Sequence, residues 1–331
     1  MKKLLNILIV VIALLLAVSC GQVQLPGGRS GEGDGAVSWA GIRVSSYGMK
    51  DSYREGENLN FPDTTKMADL AETMSSYYED SIPTYILIVG TMSGDDSCQL
   101  EFPVSDDESF DYVYGRKSDK YEEYLDKFDE IGAAVWLQVE PGNADLVKLA
   151  KLVLNRYKHH KCVKGFGIDV EWYYPKGTNG YGKKLESSVA NKVLSAVRAI
   201  DSNYTVFVKH WDERWLPNTT DGFIYVNDSQ NYLDLDDDIS RDEVNALVNS
   251  ISKSDAREAA ENMRDDFSDW AAHFAPCPVM FQIGYQKDKP IWKKLFNNPA
   301  KEMGDYLAKG CNSGNKIGII WVDFTLKEVL F

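Results

Sequence analysis

The sequence predicts an α/β architecture, a single (β/α)8 barrel of the TIM type, on three observations. Eight short β-rich runs alternate with longer amphipathic ones. Most of the runs are apolar on both faces, as strands buried in a parallel sheet must be. The chain of 331 residues leaves ample length for a barrel of about 250, and no repeat or composition break marks a second domain.

The first segment is an address. Lys2 and Lys3 precede an almost unbroken apolar stretch over 4–16, followed by Ala17-Val18-Ser19 and then Cys20. This reads as an export signal over 1–19, its apolar run of about 13 residues short for a bilayer span of about 20. The Leu16-Ala17-Val18-Ser19-Cys20-Gly21 segment resembles a bacterial lipobox, which implies lipidation of Cys20 and an exported protein anchored to the cell envelope membrane. Residues 20–37 are glycine-rich and polar, and are expected to be a flexible tether. The barrel is expected over 38–331.

Strands are expected at 39–46, 84–90, 133–139, 165–171, 204–210, 222–227, 279–285 and 317–323. Helices are expected at 66–78, 121–131, 143–160, 184–200, 242–274 and 299–309. In the third of these, Leu146, Leu149, Ala150, Val153, Leu154 and Tyr157 recur at helical spacing. Asp145 stands in its first turn, and Lys158, His159 and His160 are placed in its last, where His159 and His160 are expected to cap carbonyls rather than bind metal. The polar and aromatic stretch 95–120 reads as an insertion on the rim after strand two. The segment 214–220 is too short for a full helix between strands five and six.

Composition narrows the function. With 36 Lys+Arg against 50 Asp+Glu the formal net charge is -14, which disfavours phosphate backbones, so no nucleic-acid partner is expected. No G-x-G-x-x-G, Walker loop or G-x-S-x-G is present, and no cofactor is expected. Besides Cys20 there are Cys98, Cys162, Cys277 and Cys311, none in the C-x-x-C spacing of a zinc or redox centre, so no metal is expected. An exported chain permits disulfides among these four, with free buried thiols the alternative. Asp234, Asp236 and Asp238 mimic the start of a calcium loop, but Ile239 stands where a glycine is required.

In such a barrel the site is built at the C-terminal ends of the strands. Those ends carry Ser46 and Tyr47, Thr91, Gln138 and Glu140, Asp169, Glu171 and Tyr173, then Lys209, His210, Trp211 and Asp212, and finally Asn227 and Asp228, Gln282 and Tyr285, and Trp321 and Asp323. Carboxylates that bind hydroxyls, mixed with flat rings that stack on a pyranose, suit a glycan or oligosaccharide. Asp169 and Glu171 are two apart on a strand and share a face. Like charges that close raise at least one pKa, which keeps a carboxyl protonated as a general acid near neutral pH. The alternative is a pair of solvated acids, or acids neutralised by Lys209 or His210.

The run Gly167-Ile168-Asp169-Val170-Glu171-Trp172-Tyr173-Tyr174-Pro175 resembles strand four of the family 18 glycoside hydrolases, the chitinases and their relatives, whose pattern is D-G-I-D-I-D-W-E-Y-P. The run 223–228 is loosely similar to that family's strand six, and Gly318-Ile319-Ile320-Trp321 to its strand eight. Aligned on the last D-x-E, the resemblance implies Glu171 as acid and Asp169 as the residue orienting the substrate's acetamide. It also implies Tyr173 and Asp228 around that acetamide and Trp321 beneath the sugar. Aligned through Trp172 and Pro175, the catalytic glutamate falls on Tyr173, and the barrel lacks its acid. The D-x-E also resembles that of family 25 lysozymes. The expected activity is hydrolysis of β-linked N-acetylhexosamine glycans, chitin- or peptidoglycan-like. The alternative is a catalytically inactive, glycan-binding surface lipoprotein.

Overall fold

The computed structural model describes residues 36–330 apart from 53, 56–57, 60–61, 175–181 and 220. The expected signal segment, Cys20, nearly all of the tether and Pro175 lie outside the described residues. Eight parallel strands close on themselves: β1 (Val37–Val44), β2 (Ile82–Met92), β3 (Ala134–Val139), β4 (Val163–Asp169), β5 (Thr205–Lys209), β6 (Phe223–Asn227), β7 (Val279–Ile283) and β8 (Ile317–Trp321). Each pairs with the next, and β8 closes onto β1 with Ile42 opposite Trp321. Helices cross between the strands, so a closed eight-stranded parallel barrel is present, as expected for an α/β fold.

Besides a short helix over Ser46–Ser52 just after β1, the helices are α1 (Thr64–Ser76), α2 (Glu122–Glu130), α3 (Leu146–Tyr157), α4 (Ser187–Arg198), α5 (Arg241–Ser250), α6 (Lys253–Phe274), α7 (Lys289–Leu295) and α8 (Pro299–Ala308). The stripe expected on α3 is the face it buries, and the Asp145 side chain caps its start by accepting from Lys148 N–H. The helix expected over 242–274 is instead two. Ser252 accepts from Asp255 N–H as the cap of a new helix, and the chain leaves helical geometry at Ile251. A hydroxyl that can start a helix outcompetes an unbroken apolar period. Between β5 and β6 the crossover is only a 3-10 turn over Glu213–Trp215. The rim insertion adds two short strands, Cys98–Leu100 and Val113–Gly115, to the edge of β2.

Alternation along the strands sorts side chains into two cores. A large cluster fills the space between sheet and helices. A smaller one fills the barrel itself, with Trp39, Trp136, Phe207, Ile224, Met280 and Ile320 among its members. Trp39 and Trp136 meet edge to face, 5.5 Å between centroids. Room for these rings comes from inward-facing glycines. A Cβ on Gly167 would sit 2.1 Å from the Phe207 ring, so the strand before Asp169 is thin because the neighbouring strand is thick there. Among the described residues no helix is long and apolar enough to cross a membrane. All four described cysteines are buried free thiols; the Sγ of Cys277 faces the Thr219 carbonyl and that of Cys311 the Phe267 carbonyl.

Candidate active site

At the C-terminal ends of the strands the inward-facing pattern switches from apolar to charged. On β5, Val206 and Val208 pack outward against the helices, while Phe207 faces into the barrel and Lys209, two residues later, shares its face. Its ammonium is 95% buried and lies 3.2 Å from Asp169 Oδ2, 3.3 Å from Glu171 Oε1 and in direct contact with Asp228 Oδ2. Thus β4, β5 and β6 each deliver part of one cluster. The strand expected to reach Glu171 stops at Asp169, and Val170–Trp172 forms a 3-10 turn. Glu171 still turns back to the same lysine. Its side chain is 22% exposed against 3% for Asp169, so it is the acid that meets solvent.

The electrostatics separate the three acids. Burial, with repulsion from Asp228, holds Glu171 well above the usual carboxylate range against the pull of Lys209. Burial is the largest influence on Asp228 and would raise it, but the Lys209 ammonium and the hydrogen bonding around the carboxylate together hold it low. The two carboxyls act on each other in opposite senses, Asp228 pushing Glu171 up and Glu171 holding Asp228 down, so of the two Glu171 keeps its proton to the higher pH. Asp169 is pushed up to about 7, chiefly by burial, with Lys209 opposing. Burial alone would depress the lysine, and the three carboxylates keep it charged.

Neither a protein-family model nor a curated protein sequence matches this chain. The site therefore rests on its own geometry.

Around the cluster the other expected residues divide into partners and rim. Gln138 donates to Asp169 Oδ2 over 3.1 Å. Glu140 accepts from the Tyr47 hydroxyl at 2.8 Å and from Met92 N–H at 2.9 Å, which ties the ends of β1, β2 and β3 together. Gln282 accepts from the Tyr285 hydroxyl at 3.1 Å. Four buried polar atoms, Gln138 Oε1, Asp169 Oδ1, Asp228 Oδ1 and Gln282 Nε2, have no hydrogen-bond partner among the described residues. Four such atoms converging on one strand-end layer mark a place where a polar ligand would satisfy groups the protein leaves open.

The aromatic residues do not all sit where the sequence reading put them. Trp321 is wholly buried: its indole N–H goes to Thr325 Oγ1 at 2.9 Å, and Gly284 lies against its ring. Tyr173 is buried as well, its backbone bridged to Gly142 and its ring edge-on to Tyr174. Among the described residues the exposed large rings are Tyr47, Tyr112, Tyr114, Trp172, Tyr174 and Trp211, and each stands on a segment that follows β1, β2, β4 or β5. Trp211 also lines a cavity of about 550 Å³ with Arg214, Ser229, Gln230, Tyr232 and Asp266. His210 Nδ1 accepts Asp212 N–H within the turn, and Arg214 holds the Asp212 carboxylate.

Sequence reasoning missed the pairing of Arg43 with Asp323, 3.1 Å apart and buried. Ser45 gives both its N–H and its hydroxyl to the other oxygen of Asp323. An arginine in a strand of otherwise apolar and small residues, two after the inward-facing Gly41, was the signal available. Lys209, by contrast, was expected with His210 as a cation that could neutralise the acids, and it is the centre of the cluster.

Proposed function

We propose that the chain is a glycoside hydrolase-like (β/α)8 barrel acting on β-linked N-acetylhexosamine glycans, with Glu171 as general acid. What supports this most is a partly exposed Glu171, held above the usual carboxylate range beside a low Asp228, at the strand ends from which the exposed aromatics follow. A carboxylic acid held above its usual range is the group such a reaction needs. Glu171 donates its proton to the glycosidic oxygen as the C1–O bond breaks. The substrate's own acetamide oxygen attacks C1, so no carboxylate nucleophile is required. Asp169 orients that acetamide and balances the positive charge it gains. Water then opens the cyclic intermediate, giving its proton back to Glu171. Rim rings such as Trp211 and Trp172 hold further sugars by stacking. The proposed setting is the bacterial cell envelope, with Cys20 carrying the lipid.

A second reading, a barrel that binds glycans without cleaving them, is favoured by two observations. Trp321 offers no open face for a sugar, and the Lys209 ammonium occupies the centre of the acids. One experiment separates the two. Wild type and Glu171→Gln are assayed on an aryl β-N-acetylglucosaminide, on chitin oligosaccharides and on peptidoglycan fragments, with binding followed in parallel. Loss of a general acid should lower turnover about 10²–10⁴-fold and leave binding largely intact. Glycan binding by the wild type with no turnover on any of these would give the second reading the field.

A further inference from the structure

The outer wall holds a second constellation, remote in chemistry from the mouth. The chain leaves α3 at Tyr157, so His159 and His160 lie beyond the helix, and their side chains go to carboxylates rather than to carbonyls. His159 Nε2 is 2.6 Å and His160 Nε2 is 3.5 Å from the same oxygen, Glu122 Oε1, at the start of α2. One ligand atom from each of Glu122, His159 and His160 falls within 4.8 Å of the others.

We infer that Glu122, His159 and His160 form a binding site for a divalent transition metal of the zinc class. Three observations carry this beyond the mere presence of a cluster. His160 has a side chain 99% buried, and its Nε2 has no hydrogen-bond partner among the described residues. The second oxygen of Glu122 is also buried and without such a partner. The other ring nitrogen of His160 is committed: Nδ1 lies 3.0 Å from Asp129 Oδ2, while Asp129 Oδ1 accepts Cys162 N–H at 2.6 Å. A carboxylate fixed in this way selects the tautomer that leaves Nε2 as a lone pair, the arrangement found behind metal-bound histidines.

The geometry is close to what zinc requires. Bonds of about 2.1 Å in a tetrahedron separate ligands by about 3.4 Å, near the 3.5 Å between His160 Nε2 and Glu122 Oε1. His159 stands too close to Glu122 for this, but its side chain is 55% exposed and free to swing outward. That exposure leaves a remaining position for water. Two imidazoles and one carboxylate favour zinc, nickel or copper over calcium and magnesium, which prefer all-oxygen shells. The bound ion would join the start of α2 to the loop that leads into β4, the strand carrying Asp169. Asp129 is a positioning residue here, acting through His160.

Titration of zinc chloride into the untagged, chelator-treated full chain tests the inference. One equivalent should bind saturably, raise the melting temperature by several degrees, and be mimicked by cobalt with visible absorption bands of low coordination number. Calcium and magnesium should do neither. Glu122→Gln, His159→Ala and His160→Ala should each weaken zinc binding at least about 10-fold, and Asp129→Asn about 10–100-fold. His160 is buried, so its variant needs a circular dichroism check, whereas His159 is exposed and its variant should fold as wild type. Absence of saturable zinc binding, or binding that His159→Ala and Glu122→Gln leave unchanged, would overturn the site.

Discussion

Replacing Lys209 by Met leaves Asp169, Glu171 and Asp228 buried without the cation that faces all three. Methionine fills a similar volume, so the change isolates charge from packing. Removing one partner from a buried ion pair costs about 3–5 kcal/mol, a large part of a typical stability of about 5–15 kcal/mol. At about 2–4 °C per kcal/mol for a chain of this order, the melting temperature should fall by on the order of 10 °C. The cost must also depend on pH. The ammonium lowers all three carboxyls, so without it Asp169 and Glu171 rise further and Asp228 rises from its lowered value. A group raised in the folded state is stabilising only while protonated, and its contribution is lost as pH climbs from the unfolded value through the folded one. The penalty of Lys209→Met should therefore be small near pH 4 and grow toward pH 8. Urea denaturation of wild type and variant at pH 4.5, 6 and 8 reads this directly. A difference below about 1 kcal/mol at pH 8, or one that is the same at all three values, would refute the buried-cation account.

Two further outcomes follow from the same physics. Asp169 rises from its ordinary 3.8 to about 7 in the fold, so it alone should remove on the order of 4 kcal/mol of stability between pH 4 and pH 8. Asp169→Asn should flatten that slope without abolishing it, because burial also raises Asp288 to about 7; an unchanged slope in chemical denaturation would count against the assignment. Cys20→Ser should move the protein from the membrane fraction to the soluble one in fractionated cells, and continued membrane retention would exclude the proposed anchor.

How far the sequence carried depended on whether an interaction was local. All eight strands were legible because their apolar runs are too short for helices, rich in β-branched and aromatic residues, and alternate with longer amphipathic segments. Their ends were less so: the run through Asp169 and Glu171 reads as one strand, yet the last two residues turn into a 3-10 helix. The split of 242–274 was written in Ser252 and was hidden by the strength of the apolar period on either side. Glu171 and Asp169 were legible as a pair because their spacing fixes their mutual position. Lys209, 38 residues further on in sequence from Glu171, was legible only as one of two cations, with His210, that could neutralise them, since only closure of the barrel sets β5 beside β4 and β6. Trp321 shows the reverse. It stands at a strand end, as expected of a ring beneath a sugar, but whether such a ring faces the mouth or the core depends on Gly284 and Thr325 from the chain around it.

The lysine bears on both functional readings, and it does so through one measurable quantity. In the hydrolase reading, rate falls at high pH as Glu171 loses its proton, so the alkaline limb reports the Glu171 pKa in the company of Asp228 and Lys209. Lys209→Met raises that pKa, because the ammonium pulls it down. The alkaline limb should then move to higher pH even as the protein becomes less stable. No purely structural role for the lysine predicts a limb that moves upward while stability drops. In the binding reading there is no limb to move, and the same substitution should change only stability and glycan affinity. The ammonium that neutralises the acids is thus also the group whose removal distinguishes a tuned acid from a buried ion cluster.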